Sequence, residues 1–104
     1  MTEKVAVELR AGDWERELLR RRYAAVDTAP GPAREAAVDA YLVQAGLARR
    51  VVDGEPDRHE ARRRVMAALG AEERMMRRER LSADDRSRGL AALAGARRAV
   101  QGPA

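Results

Sequence analysis

Cysteine and phenylalanine are both absent from this chain of 104 residues. Without cysteine there is no disulfide framework, no thiolate nucleophile and no cysteine ligand for a metal. The only aromatic residues are Trp14, Tyr23 and Tyr41, and the apolar content is dominated by alanine, so the side chains available for a core are small. Because alanine buries little apolar area, we expect a second copy or another protein to supply additional burial.

Long apolar runs are also missing. The first ten residues alternate charged and apolar side chains, and they include no continuous stretch of the kind that a signal peptide or a membrane span needs. The length suits one compact domain. We therefore expect a cytoplasmic protein with no membrane association.

Residues that could carry out catalysis are few. His59 is the only histidine, and without a second histidine or a cysteine it cannot complete a usual transition-metal site. No glycine is followed by the lysine and hydroxyl residue of a phosphate loop, and Ser82 and Ser87 lack the glycine elbow of a serine nucleophile. The sequence predicts a protein that is not an enzyme and that has no metal and no cofactor.

The hydrophobic pattern predicts a mainly α-helical protein with one short N-terminal strand. Lys4 to Leu9 alternates with period two, which is typical of a strand. Helical spacing then predicts helices from about 14 to 26 and, after a loop rich in proline and glycine, from about 32 to 45. Three further helical segments are expected after Asp57, from 71 to 81 and after Ser82, which gives four to five helices in total.

The order strand, helix, loop, helix over residues 3–47 resembles the ribbon-helix-helix family of DNA-binding regulators and antitoxins. The resemblance implies a dimerisation module at 1–47 whose strands pair through Val5, Val7 and Leu9 of two chains. It also implies DNA contacts from the outward strand face and from the start of the second helix. The corresponding DNA-binding residues are Thr2, Lys4, Arg10 and Arg34. Residues 42–54 are also similar to the junction between recognition helix and wing in winged-helix repressors.

The second half of the chain carries the surplus of positive charge, since residues 58–80 contain eight arginines and four glutamates. We interpret 48–100 as a basic helical extension that binds a protein partner, and 101–104 as a flexible tail. Flexible methionines flanked by arginines suit adaptable protein contacts. The alternative is that the apolar side chains of this segment pack in the protein's own core. The expected partner-binding residues are Arg62, Arg63, Met66, Met75, Met76, Arg77 and Arg78.

Two functional hypotheses follow from these patterns. The first is a homodimeric regulator of antitoxin or transcriptional-repressor type, with a protein partner bound by its second half and DNA bound by its first. The alternative is a helical adaptor or accessory subunit that binds an acidic protein surface and has no DNA-binding role.

Overall fold

The computed structural model of the protein describes residues 10–102, and these form five helices. We number them α1 to α5 in chain order: Ala11–Asp27, Pro32–Gly46, Ala48–Gly54, Arg58–Arg78 and Ala83–Gln101. The molecule measures 40 × 35 × 18 Å. Since one helix with its side chains is about 10–12 Å wide, the short dimension corresponds to about two layers of helices.

The ends of α2, α4 and α5 follow from local chemistry. Pro32 lies in the first turn of α2, where its missing N–H removes no helical hydrogen bond. Asp57 accepts a hydrogen bond from the Glu60 N–H at 3.0 Å and begins α4. The Ser82 hydroxyl accepts from the Asp85 N–H at 3.1 Å and begins α5, so this helix starts directly after Ser82, as predicted.

The ends of α1 depend on contacts that are distant in sequence. Its first N–H, from Ala11, donates to the Glu55 carboxylate at 2.7 Å. Its last turn is held by Arg34, which donates to the carbonyls of Thr28 and Val26 at 2.8 and 3.0 Å. Both contacts satisfy backbone groups that a helix end leaves unpaired.

One hydrophobic core joins all five helices. Trp14 is the largest residue in it and is fully buried, and its indole N–H donates to the Gln44 carbonyl at 2.8 Å. Gln44 in turn donates through its side-chain amide to the Trp14 carbonyl at 3.3 Å, so α1 and α2 are held by a reciprocal pair. The other large, fully buried side chains are Tyr41, Leu18, Leu69, Leu93, Val51, Val52, Val65 and Val100.

The expected fold class is wrong. Residues 10–102 contain no strand, and α1 and α2 share their core with α3, α4 and α5 instead of forming a ribbon-helix-helix half with an appended helical extension. The physical reason is that the α1–α2 pair by itself buries too little apolar surface, so both helices share one core with α3, α4 and α5. The strand predicted over residues 4–9, and the dimer contact assigned to Val5, Val7 and Leu9, lie outside the described residues.

Candidate functional site

A buried ion-pair network lies between α1, α2 and α4. Arg22 is 3% exposed, and it donates to Glu72 at 2.8 Å and to Glu79 at 2.6 Å. The Tyr41 hydroxyl donates to the same Glu72 oxygen at 2.8 Å. Each buried polar atom of the network therefore has a partner, as the cost of burying charge requires.

The pKa values of the network show which protonation states it favours. Burial alone acts to lower the pKa of Arg22, but the two glutamates outweigh that effect and raise it, so Arg22 stays charged. Burial, followed by the negative charge of Glu72, raises the pKa of Tyr41 far above its ordinary value, so its hydroxyl stays protonated and donates. Such a network stabilises one arrangement of the helices. Its donors and acceptors already have hydrogen-bond partners within the protein, so they are not available to a ligand.

A small apolar pocket opens beside this network, and it has room for about one water molecule. Met76 and Gly89 form its wall between α4 and α5. A Cβ atom at Gly89 would lie 3.0 Å from the terminal atoms of Met76, so glycine allows the two helices to pack closely. The pocket is too small to bind a metabolite.

Metal-binding groups do not converge anywhere in residues 10–102, where no cluster of three histidine, aspartate or glutamate side chains is present. His59 is exposed in the first turn of α4.

The acidic side chains of α4 point mainly toward other helices. Glu72 pairs with Arg22, and Glu73 accepts from Arg97 of α5 at 2.6 Å. Glu79, just after α4, also pairs with Arg22. The exposed surface of α4 is consequently much more positive than the composition of the segment indicates.

Helical spacing identifies the stripe of α4 that lies opposite the core. Residues 63, 67, 70, 74 and 77 recur at intervals of three and four, whereas the core residues are at 61, 65, 69, 72 and 76. Arg63, Arg74 and Arg77 belong to this stripe, and Arg78 adjoins it; we refer to these four arginines as the α4 outer face. Arg63 lies 3.4 Å from Glu60, and among residues 10–102 the other three have no carboxylate within ion-pairing distance.

The predicted partner-binding residues lie in several environments. Arg62, Arg63, Arg77 and Arg78 are exposed, while Met66 and Met75 are half-buried on different sides of α4. Met76 is 3% exposed and packs in the core, so its side chain is not available to a partner. The alternative noted for these methionines, packing within the core, therefore holds for Met76.

The predicted DNA-binding residues do not form a continuous basic surface within the described part of the chain. Thr2 and Lys4 lie outside it. Arg10 precedes α1 and lies 3.7 Å from Glu55, whereas Arg34 is at the other end of α1 and donates to backbone carbonyls. The length of α1 separates them by about 25 Å at 1.5 Å per residue.

A second exposed feature, absent from the sequence-based predictions, lies between α1 and α4. Glu15 of α1 accepts from Arg64 of α4, and farther along both helices Arg22 bonds Glu72, so the helices run in the same direction. Leu19 and Tyr23, which are 40% and 52% exposed, follow Glu15 at helical spacing. Their spacing from the core positions of α1 is the signal that could have located them.

On the α4 side, Ala71 and Met75 follow Arg64 at helical spacing, and both are half-buried. We refer to Leu19, Tyr23, Ala71 and Met75 as the α1–α4 seam. The Tyr23 ring lies 5.1 Å from the Arg22 guanidinium, where it covers the end of the buried network. Arg74 and Arg78 lie three residues after Ala71 and Met75, so by helical spacing the α4 side of the seam borders the α4 outer face.

No helix within residues 10–102 combines the length and apolar content needed to cross a bilayer. Comparison of the chain with protein-family models, with curated protein sequences and with solved structures finds no significant match in any of the three.

Proposed function

We propose that this protein is a helical adaptor that binds an acidic surface of a protein partner through the α4 outer face. The observation that carries the proposal is the imbalance of charge on α4: Glu72 and Glu73 pair with Arg22 and Arg97 of other helices, and Glu60 lies beside Arg63. The remaining outer-face arginines, Arg74, Arg77 and Arg78, have no ionic partner among the described residues. Unpaired arginines on a rigid helix can attract and orient an acidic partner.

The residue types around the α4 outer face suit a protein partner. A planar guanidinium makes bidentate hydrogen bonds to carboxylates and to phosphates alike, but arginine, methionine and tyrosine are enriched at protein interfaces while lysine is depleted. The α4 outer face is made of arginine, and Met75 lies beside it on the same helix, three residues before Arg78. This combination favours a protein surface over a purely electrostatic contact with phosphates.

Binding of DNA is the competing role, and it has less support. Arg34 is held by the carbonyls at the end of α1, and Arg10 has Glu55 beside it. The α4 outer face contains no aromatic side chain on which a base could stack. A DNA-binding role would therefore depend on nonspecific contact between arginines and phosphates.

The test compares two double variants with the same change of charge. Arg74→Gln/Arg77→Gln removes two arginines of the α4 outer face, and Arg50→Gln/Arg98→Gln removes two exposed arginines from α3 and α5. A fluorescent oligoglutamate peptide and a labelled DNA duplex serve as probes, and fluorescence anisotropy reports binding at low and at moderate salt concentration.

We expect oligoglutamate to bind the parent protein and the control, and to bind the Arg74→Gln/Arg77→Gln variant about tenfold more weakly, since two charge-assisted contacts are lost. Equal weakening in both double variants would show that only net charge matters and would refute the assigned face. Tighter binding of the duplex than of oligoglutamate at moderate salt would refute the preference for a protein partner.

A further inference from the structure

The α1–α4 seam extends the proposed function, because it places an apolar strip alongside the α4 outer face. Leu19 and Tyr23 are two of only three large hydrophobic residues that are markedly exposed among residues 10–102, and both lie on the same side of α1. The third, Val43, is on the outward side of α2. Two of the three exposed large side chains thus lie on the side of α1 from which Glu15 pairs with Arg64 of α4.

We infer that the α1–α4 seam binds an acidic amphipathic helix of the partner protein, and this inference rests on the proposed function. The apolar side of that helix would contact Leu19, Tyr23 and Met75. Its acidic flank would face α4, where Arg74 and Arg78 provide positive charge. Docking of an amphipathic helix on an apolar strip uses side chains at intervals of three and four residues, which matches the spacing of the seam.

Charge complementarity determines the occupant. On the α4 side of the seam, Arg74 and Arg78 lack ionic partners among the described residues. A bound apolar helix without carboxylates would leave these two arginines without ion pairs in the complex. A second copy of this chain is a poorer occupant, because a two-fold dimer would bring the arginines of both seams into one interface. The α1 side of the seam contributes less to the selection of an acidic helix, since Arg16 and Arg20 already pair with Asp13 and Glu17.

The dimensions fit a short helix. From Glu15 to Tyr23 the seam spans roughly 12 Å, and inclusion of the Arg78 end extends it to roughly 20 Å, at 1.5 Å per residue. A bound helix of about four turns would cover it. Because the two helices that form the seam are fixed to each other by Glu15–Arg64 and by the Arg22 network, the strip is already shaped before a partner arrives.

The experiment uses two designed peptides of identical composition and charge. In the first, four leucines lie at i, i+4, i+7 and i+11, with glutamates on one adjacent flank and alanines elsewhere. In the second, the leucines are distributed around the helix. Fluorescence anisotropy measures binding of each labelled peptide to the full chain, and light scattering reports its oligomeric state.

Leu19→Ser/Met75→Ser is the test variant, and Val43→Ser is its control, since Val43 is 62% exposed and lies on α2. Tyr23 is left in place because its ring covers Arg22. Emission from Trp14, the only tryptophan and a fully buried one, verifies that each variant is folded.

We expect the parent and Val43→Ser to bind the first, amphipathic peptide about tenfold more tightly than the second peptide. Leu19→Ser/Met75→Ser should lose this preference, because it removes the apolar anchors of the seam. Equal binding of the two peptides by the parent, or an unchanged preference in the test variant, overturns the inference. A parent dimer that Leu19→Ser/Met75→Ser converts to monomer also overturns it, because the occupant would then be a second copy. If the peptides show no preference but Arg74→Gln/Arg77→Gln still weakens the binding of oligoglutamate, the inference about the seam is wrong and the proposed function is retained.

Discussion

Replacement of Glu72 by alanine should destabilise the protein more than any surface substitution. In the folded state Glu72 accepts hydrogen bonds from Arg22 and from Tyr41, and all three side chains are buried. Its removal leaves a buried guanidinium with Glu79 as its only ionic partner and leaves the tyrosine hydroxyl without an acceptor. Breaking a buried pair in this way costs about 3 kcal/mol, and the retained Glu79 contact keeps the loss near the lower end of the usual range.

Urea unfolding followed by Trp14 fluorescence measures this loss at neutral pH. For a domain of this size, about 3 kcal/mol corresponds to a fall in Tm of roughly 12–20 °C. Glu72→Gln is the matched control, because its amide oxygen still accepts from Tyr41 and Arg22 while the charge is removed; we expect a loss of about 1–2 kcal/mol.

A double-mutant cycle separates the pair from its surroundings. Arg22→Met and Glu72→Met should each destabilise the protein. The double variant should lose clearly less than the sum of the two, because the most buried charges are removed together and only Glu79, which is 19% exposed, is left without its arginine. A Glu72→Ala variant that loses less than about 0.5 kcal/mol, the usual effect of a surface substitution, would refute the reasoning.

Two further predictions concern the same region. Gly95→Ala should stabilise the protein by about 0.5–1 kcal/mol because alanine favours the helix, while Gly89→Ala should destabilise it by about 1 kcal/mol because its Cβ would press on Met76; equal changes in urea unfolding would contradict the close packing of α4 on α5. In a Tyr23→Phe background, where Tyr41 is the sole tyrosine, near-ultraviolet absorbance should show no ionisation while the protein is folded. Because the pKa of Tyr41 is higher in the folded than in the unfolded state, its contribution to stability is complete below the unfolded value of about 10 and decreases as pH rises above it. Ionisation of Tyr41 before unfolding would show that its hydroxyl is accessible.

Local chemistry allowed much of the helical structure to be predicted. The start of α2 at Pro32 and the cap of α5 at Ser82 depend on residues within one turn, so the sequence pattern was sufficient. The start of α1 is earlier than predicted because Glu55, 44 residues away, accepts the Ala11 N–H. The separate helical segment predicted from 71 to 81 is wrong, because α4 continues through Gly70 to Arg78 with core residues on either side of the glycine.

The candidate site was harder to predict, because burial depends on which helices meet. Arg22 belongs to a run of three arginines that resembles a solvated surface, yet it is buried while its neighbour Arg20 is exposed. Glu72 occupies a core position of α4 by its spacing from Val65 and Leu69, but spacing alone does not reveal that an arginine from α1 is there to pair with it. The positive character of the α4 outer face becomes evident only after Glu72 and Glu73 are assigned to arginines of other helices.

The Arg22 network also constrains the order in which the chain can fold during its synthesis. The carboxylates that neutralise Arg22 lie 50 and 57 residues after it, so a nascent chain that ends within α3 has already made α1 and α2 but has no acidic partner for this guanidinium. Until α4 has left the ribosome, Arg22 must remain hydrated, so the side of α1 that carries Arg22 cannot yet be buried. The last third of the chain therefore controls when the first helix reaches its final position, and prematurely terminated chains should be substrates for proteolysis.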